Sequence, residues 1–132
     1  MRERVANAAH EYEELRDAMP CGPLRTRRME VIASNLRTLA QSTFGLLREL
    51  MASDSPGERL AAVSTLQAIP DARFLGWLAE RIPAEKPFIG YHAAVALLAA
   101  ARELPDAELG QLDVALRKTQ SFAESTDGSL IR

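Results

Sequence analysis

The chain has 132 residues, 47% of them hydrophobic and 26% charged, with a formal net charge of −2. This balance excludes a disordered tail protein, a collagen-like repeat and a highly basic nucleic-acid coat. Ala and Leu supply 40 residues while aromatic residues make up only 5%, so the composition favours helices over sheets and predicts an all-α fold.

The small number of Cys and His residues narrows the class of protein. One Cys cannot form an internal disulfide, and one Cys with two His is too small a set for a zinc site. No segment has the roughly 18 to 20 apolar residues that cross a bilayer. We therefore expect a protein of a reducing compartment, the cytoplasm, and the excess of Arg over Lys indicates a GC-rich bacterium.

The first two predicted helices are separated by a turn rich in proline. Apolar residues three and four apart over residues 5–19 form one stripe, which predicts a helix of about five turns. Residues 19–23 contain two prolines and a glycine, which end that helix. A second stripe continues without a break and predicts one helix over about residues 25–52, roughly 40 Å long.

A capping signal marks the start of the third helix. Ser55 has the position of an N-cap, Pro56 that of the first helical residue, and Glu58 that of the partner closing a capping box. The third helix is therefore predicted over about residues 56–69.

Proline and aspartate pairs divide the rest of the chain. The pairs at residues 70–71 and 105–106 predict the starts of the fourth and sixth helices, and residues 83–87 form a break before the fifth. Within residues 91–101, ten of eleven residues are apolar, which predicts a helix buried on all sides. The residues predicted to face inward from the sixth helix are Leu109, Leu112 and Leu116, with Thr119 or Phe122.

Two short motifs recur along the chain. Ala-Ala-Val at residues 61–63 returns at 93–95, a shift of 32, and an apolar-Gly-x-Leu pattern occurs at 44–47, 75–78 and 109–112. Together with the proline and aspartate pairs, they indicate a repeated helix pair. Small residues at the crossing points are expected to let neighbouring helices approach closely.

These motifs resemble HEAT and armadillo-like helical repeats over about residues 36–122. The resemblance implies six antiparallel helices stacked as helix pairs, with an irregular six-helix bundle as the alternative. We expect a single domain over residues 1–124, made of an N-terminal helix and turn at 1–23 and repeats at 24–122. A flexible tail is expected at 125–132.

Six residues are candidates for contact with a partner. They are Trp77, Leu109, Arg25, Arg27, Arg28 and Arg37. Trp77 lies beside the apolar stripe of its helix, and tryptophan is a frequent anchor in interfaces. The arginines form a basic stripe on the second helix that could contact phosphates. Acidic residues on the first helix, which folds back beside the second, predict an Arg–Glu network that neutralises this stripe.

No combination of residues indicates a catalytic site. The chain has neither a Gly-x-Ser-x-Gly elbow nor a Gly-x-x-x-x-Gly-Lys loop. We interpret His92 as a residue of the core, His10 as exposed, and Cys21 as a passive thiol in a turn. We therefore predict a protein that is not an enzyme and has no catalytic residue, metal ligand or cofactor.

The predicted function is a non-enzymatic helical-repeat module for protein–protein interaction or for scaffolding within a larger protein. The turn at residues 19–22 with the Arg-rich segment 25–30 resembles helical segments of large bacterial signalling or conflict proteins, which implies a signalling or defence system. The expected partner is a protein or a neighbouring domain, and self-association is also expected because a short repeat stack leaves apolar ends uncovered. The alternative is binding of nucleic-acid backbones through the Arg stripe.

Overall fold

Helices account for every regular element in the part of the chain that the structure describes. That structure is a computed structural model, which describes residues 2–108 and 110–117. The all-α prediction is confirmed. Two compact units, Met1–Ile69 and Pro70–Arg132, make up the chain, and the predicted single domain over residues 1–124 stays a prediction.

The first unit is built around one central helix. Its elements are α1 (Arg2–Ala18), α2 (Pro23–Thr38), α3 (Ala40–Thr43), a 3-10 turn (Phe44–Leu46), α4 (Leu47–Met51) and α5 (Pro56–Ala68). Helix α5 packs against α1, α2, α3 and α4, and every residue of α5 from Leu60 to Gln67 is buried. The core of this unit therefore surrounds α5, and its first helix and the turn after it lie where the sequence predicts them.

The predicted continuous helix over residues 25–52 is wrong, because the chain bends after α2. Leu39 leaves helical geometry with φ −91° and ψ 1°, and the hydroxyl of Thr38 donates to the carbonyl of Asn35 at 2.6 Å. Helix α5 has 13 residues and is about 20 Å long, half the length of a straight helix over the predicted range. The bend keeps α3 and α4 against α5, where a straight helix would extend beyond it.

The predicted cap of α5 is confirmed, with one additional residue. Ser55 is the N-cap and its hydroxyl accepts the backbone N–H of Glu58 at 3.1 Å. The carboxylate of Glu58 accepts from the hydroxyl of Ser53 at 2.5 Å, and that hydroxyl accepts the backbone N–H of Ser55 at 3.0 Å. The capping box is thus closed through Ser53.

Helices α1 and α5 meet backbone to backbone at Gly57. A Cβ atom added to Gly57 would lie 2.2 Å from the carbonyl oxygen of Ala9 and 2.7 Å from its Cα. On the same side, the carboxylate of Glu13 accepts the backbone N–H of Gly57 at 3.1 Å and the hydroxyl of Ser55. A carboxylate of α1 therefore satisfies the N-terminus of α5, where a negative charge is favourable.

An exposed ion pair also joins α1 to α4. The guanidinium of Arg2 binds both carboxylate oxygens of Glu49. These hydrogen bonds are the main cause of the lowered pKa of the Glu49 carboxyl, and the positive charge of Arg2 lowers it further. The pair therefore contributes to folding at neutral pH, and the contribution is lost as the pH falls through the lowered pKa; exposure keeps it small.

The second unit contains a helical hairpin. Its elements are a 3-10 turn (Ala72–Phe74), α6 (Leu75–Ala84), α7 (Pro87–Glu103), a second 3-10 turn (Asp106–Glu108) and α8, the helical residues 110–117. Asp71 is a cap, as predicted, since its carboxylate accepts the backbone N–H of Arg73 at 2.9 Å, but it caps the 3-10 turn that leads into α6 and not α6 itself. Helix α6 continues through Pro83, because a missing N–H donor in the last turn leaves most of its hydrogen bonds intact.

Two burial predictions for the second unit are wrong. Helix α7 is not buried on all sides, because its Tyr91 is 64% and its Leu98 50% exposed. In α8, Leu112 is buried as predicted, whereas Leu116 is exposed and Ala115 takes the inward position. The other predicted inward residues of this helix, together with the tail at 125–132, lie outside the described residues.

The glycines of the repeated motif do not mark close helix crossings, which corrects the interpretation given above. A Cβ atom added to Gly45, Gly76 or Gly110 would meet nothing within 4 Å. The close approaches occur instead at Gly57 and at Gly90, where an added Cβ would lie 2.8 Å from the carbonyl oxygen of Ile82 in α6. Both of these glycines lie outside the motif, in the first turns of α5 and α7.

We expect Gly57→Ala to destabilise the protein by about 1–3 kcal/mol, because a methyl group must displace the backbone of α1. Gly45→Ala is the matched control, since the added methyl group meets open space and alanine is the better helix former. Urea denaturation followed by circular dichroism measures both free energies of unfolding. Equal stability of the two variants would contradict the close contact at Gly57.

Glu13→Ala should lower the free energy of unfolding by about 1 kcal/mol, the usual effect of losing a capping carboxylate at a helix N-terminus. Glu11→Ala, at an exposed position two residues before Glu13, removes the same charge from the same helix and should have little effect. Thermal unfolding of both variants at one pH gives the comparison. A similar shift in both midpoints would show that Glu13 has no special role.

Candidate interaction surfaces

Two of the four arginines in the predicted basic stripe are held by the protein itself. Arg25 donates to the carbonyls of Arg16 and Met19, each at 3.3 Å, and so satisfies carbonyls at the C-terminus of α1. Arg37 donates to the side-chain oxygen of Gln67 in α5 at 3.0 Å. Their guanidinium groups therefore support the packing of the first unit.

The other two arginines are exposed. Arg27 and Arg28 lie on the outer side of α2, and the guanidinium of Arg28 lies 3.8 Å from the sulfur of Met19. Two of the acidic residues of α1 that carry the predicted Arg–Glu network have other partners: Glu13 binds the start of α5, and Glu14 lies 2.9 Å from His10. The network between α1 and α2 as a whole stays a prediction.

A groove of about 460 Å³ lies between α1 and α2. It is lined by Glu11, Glu14, Leu15, Ala18, Met19, Arg28 and Val31. Both helices contribute apolar residues to the lining, while the two carboxylates belong to α1 and Arg28 belongs to α2. The groove is therefore mainly apolar and carries opposite charges on its two walls.

The exposed face of α2 continues this groove. Leu24 is 52% and Val31 57% exposed, and their separation of seven residues places them on one face of the helix with Arg28 between them. Two large apolar side chains therefore share one solvent-facing stripe beside the groove.

Trp77 is half-buried on α6 and is covered on one side by an arginine. The guanidinium carbon of Arg81 lies 5.3 Å from the centre of the indole ring, which is a cation–π distance. Arg81 also donates to the carboxylate of Glu85 at 3.1 Å, and the Glu85 side chain is only 4% exposed. The predicted partial exposure of Trp77 is confirmed, while its contact with a partner stays a prediction. The other apolar candidate, Leu109, lies outside the described residues.

The outer face of α7 is a surface that the sequence did not reveal. Tyr91, Ala94, Leu98 and Ala101 are all exposed, and their spacing of three, four and three residues forms one stripe. Because nearly every residue of this helix is apolar, no polar face marks the side that meets water. The only usable signal was the alternation of large and small side chains along that stripe.

The structure shows the surroundings of the three residues with reactive side chains, His92, His10 and Cys21. His92 is buried, as predicted, with its ring centre 4.6 Å from that of Phe88 and 5.3 Å from that of Tyr91. His10 is exposed, as predicted, and Cys21 is exposed in the turn between α1 and α2. Among the described residues, no group of three His, Cys, Asp or Glu side chains could hold a metal ion. None of the helices in this same part of the chain is long and apolar enough to cross a membrane.

Comparison with known proteins returned no family model, no curated protein and no solved structure that matches this chain. The resemblance to HEAT and armadillo-like repeats therefore stays a prediction. What the structure adds is a set of surfaces: the groove between α1 and α2, the Trp77 side of α6 and the outer face of α7.

Arg81→Ala should expose Trp77 and lower the free energy of unfolding by about 1–3 kcal/mol, because the mostly buried carboxylate of Glu85 loses this ion pair. Trp77 is the only tryptophan in the chain, so its emission maximum and its quenching by acrylamide report on the indole directly. Arg102→Ala, which removes an exposed arginine from α7, is the control. Unchanged quenching in Arg81→Ala would show that the guanidinium does not cover the ring.

Proposed function

We propose that this chain is a non-enzymatic helical-repeat module that binds another protein or a neighbouring domain of a larger assembly. The observation that carries the proposal is the groove between α1 and α2, with its mainly apolar lining and oppositely charged walls. A role in a bacterial signalling or defence system, in the cytoplasm, belongs to the same proposal and has its support from the sequence.

The groove has the features that bind an amphipathic helix. Two neighbouring helices form a furrow into which a third helix can place an apolar stripe. Leu15, Met19 and Val31 supply the apolar contact, while Glu11 and Arg28 on opposite walls favour a partner helix with a basic residue on one flank and an acidic residue on the other. The charges would thereby select the direction in which the partner lies.

The nucleic-acid alternative has less support. Binding to phosphates requires several basic side chains that are available together, and Arg25 and Arg37 already donate to groups of the first unit. Arg27 and Arg28 remain, and Arg28 forms part of the groove. The predicted stripe on α2 therefore keeps two exposed arginines, and the chain has a net charge of −2. Such a surface attracts phosphates only weakly.

Affinity capture of the full chain from extracts of its own cells, with and without nuclease, tests the proposal. We expect a protein retained in stoichiometric amount that survives nuclease and is reduced at least tenfold by Val31→Glu, since a carboxylate in the apolar groove costs well over 1.4 kcal/mol. Ser34→Glu, which adds the same charge to an exposed position of the same helix, should retain the partner. Trp77→Ala tests the second surface in the same way.

Two results would overturn the proposal. If the retained material disappears with nuclease and with Arg27→Glu and Arg28→Glu combined, the nucleic-acid alternative is correct. If Val31→Glu, Trp77→Ala and the native chain all retain the same protein, the surfaces named here are not its binding sites.

A further inference from the structure

We propose that the outer face of α7 is a homodimerisation seam, on which a second copy of this chain binds in antiparallel orientation. The inference goes beyond the proposed function, because it names the occupant of a different surface. It uses only the stripe Tyr91, Ala94, Leu98 and Ala101 and requires nothing of the groove between α1 and α2.

The stripe has the geometry of a helix–helix seam. Its spacing of three, four and three residues corresponds to alternate a and d positions of a heptad, and the four residues spread over about 80° of the helix circumference. The opposite side of α7, which includes Ile89, Ala96 and Ala100, is buried. The helix therefore has one face within its own unit and a second apolar face that is exposed.

The order of side chains along the stripe makes the seam self-complementary. When two copies of α7 pair antiparallel about a two-fold axis at the level of Ala96, Tyr91 of one copy lies level with Ala101 of the other. Ala94 then lies level with Leu98. At every level a large side chain meets a small one, which is the arrangement that fills a helix interface without voids or overlap.

Charge favours this occupant as well. Residues 87–101 contain no Asp, Glu, Lys or Arg, so about 22 Å of helix can pair with itself without bringing like charges together. A two-fold interface requires a surface that is compatible with its own copy, and an uncharged stripe meets that requirement. A partner selected by charge would find no charged group on this face to recognise.

Sedimentation velocity of the full chain, at concentrations from about 1 µM to about 1 mM, tests the proposal. We expect a monomer–dimer equilibrium that Leu98→Glu weakens by roughly 100-fold or more, since each dimer would bury two carboxylates in an apolar seam. Val114→Glu, a change of the same kind at a side chain that is 66% exposed on α8, is the matched control and should leave the equilibrium unchanged.

A pair of exchanged residues tests the register. Ala94→Leu alone places leucine level with leucine and should weaken the dimer about tenfold through overpacking. Combining Ala94→Leu with Leu98→Ala again places a large residue level with a small one and should restore most of the affinity. Because both residues are strong helix formers, the exchange changes packing at little cost to the helix.

The outcomes separate this inference from the proposed function. A chain that stays monomeric at all concentrations overturns the seam, whether the stripe is covered by another protein or by another part of the same chain. A dimer that is unaffected by Leu98→Glu, or an exchange that fails to rescue, overturns the assigned face or register. Val31→Glu should leave dimerisation intact, so loss of partner capture in that variant speaks only to the groove.

Discussion

The first unit depends on the contact between the backbones of α1 and α5 at Gly57. Without a Cβ atom at this residue, the start of α5 can lie against the carbonyl of Ala9. That approach brings Glu13 within reach of the free N–H of Gly57, so the same contact that brings the helices together also satisfies a backbone donor of α5. One residue type at one position therefore couples packing to capping.

The length of α5 explains the path of the chain between α2 and α5. Since α5 is short and buried from Leu60 to Gln67, the segment that covers it must change direction within the length of a single helix. The spacing of apolar residues does not reveal such a break, because Leu36, Ala40 and Leu47 have the spacing of one helix face and are all buried, although the helix is interrupted between them. Near the bend, the hydroxyls of Thr38 and Thr43 donate hydrogen bonds to backbone carbonyls of the preceding turn.

Features set by a few neighbouring residues, such as helix caps, could be predicted from the sequence. Features that depend on distant residues, such as which side of a helix is buried, could not. Pro56 and Asp71 mark helix starts through backbone chemistry that is independent of the tertiary structure. The side of α7 that meets water depends on what packs against it, and an all-apolar helix gives no local record of that. The partial exposure of Trp77 could be predicted because it lies beside the apolar stripe of its own helix. The roles of Arg25 and Arg37, in contrast, depend on where α1 and α5 lie.

Helix α7 shows why an apolar helix can carry a surface function in a unit this small. A hairpin covers only the facing side of each helix, and Gly90 lets α6 and α7 approach so closely that their small residues are buried. The side away from the hairpin then needs another cover, because each Å² of apolar surface left in water forgoes about 25 cal/mol. Polar residues would remove that deficit in a protein that stays alone. Covering Tyr91 and Leu98 in a helix interface would recover part of that free energy, and the order of large and small residues along the stripe fits a second copy of the same helix.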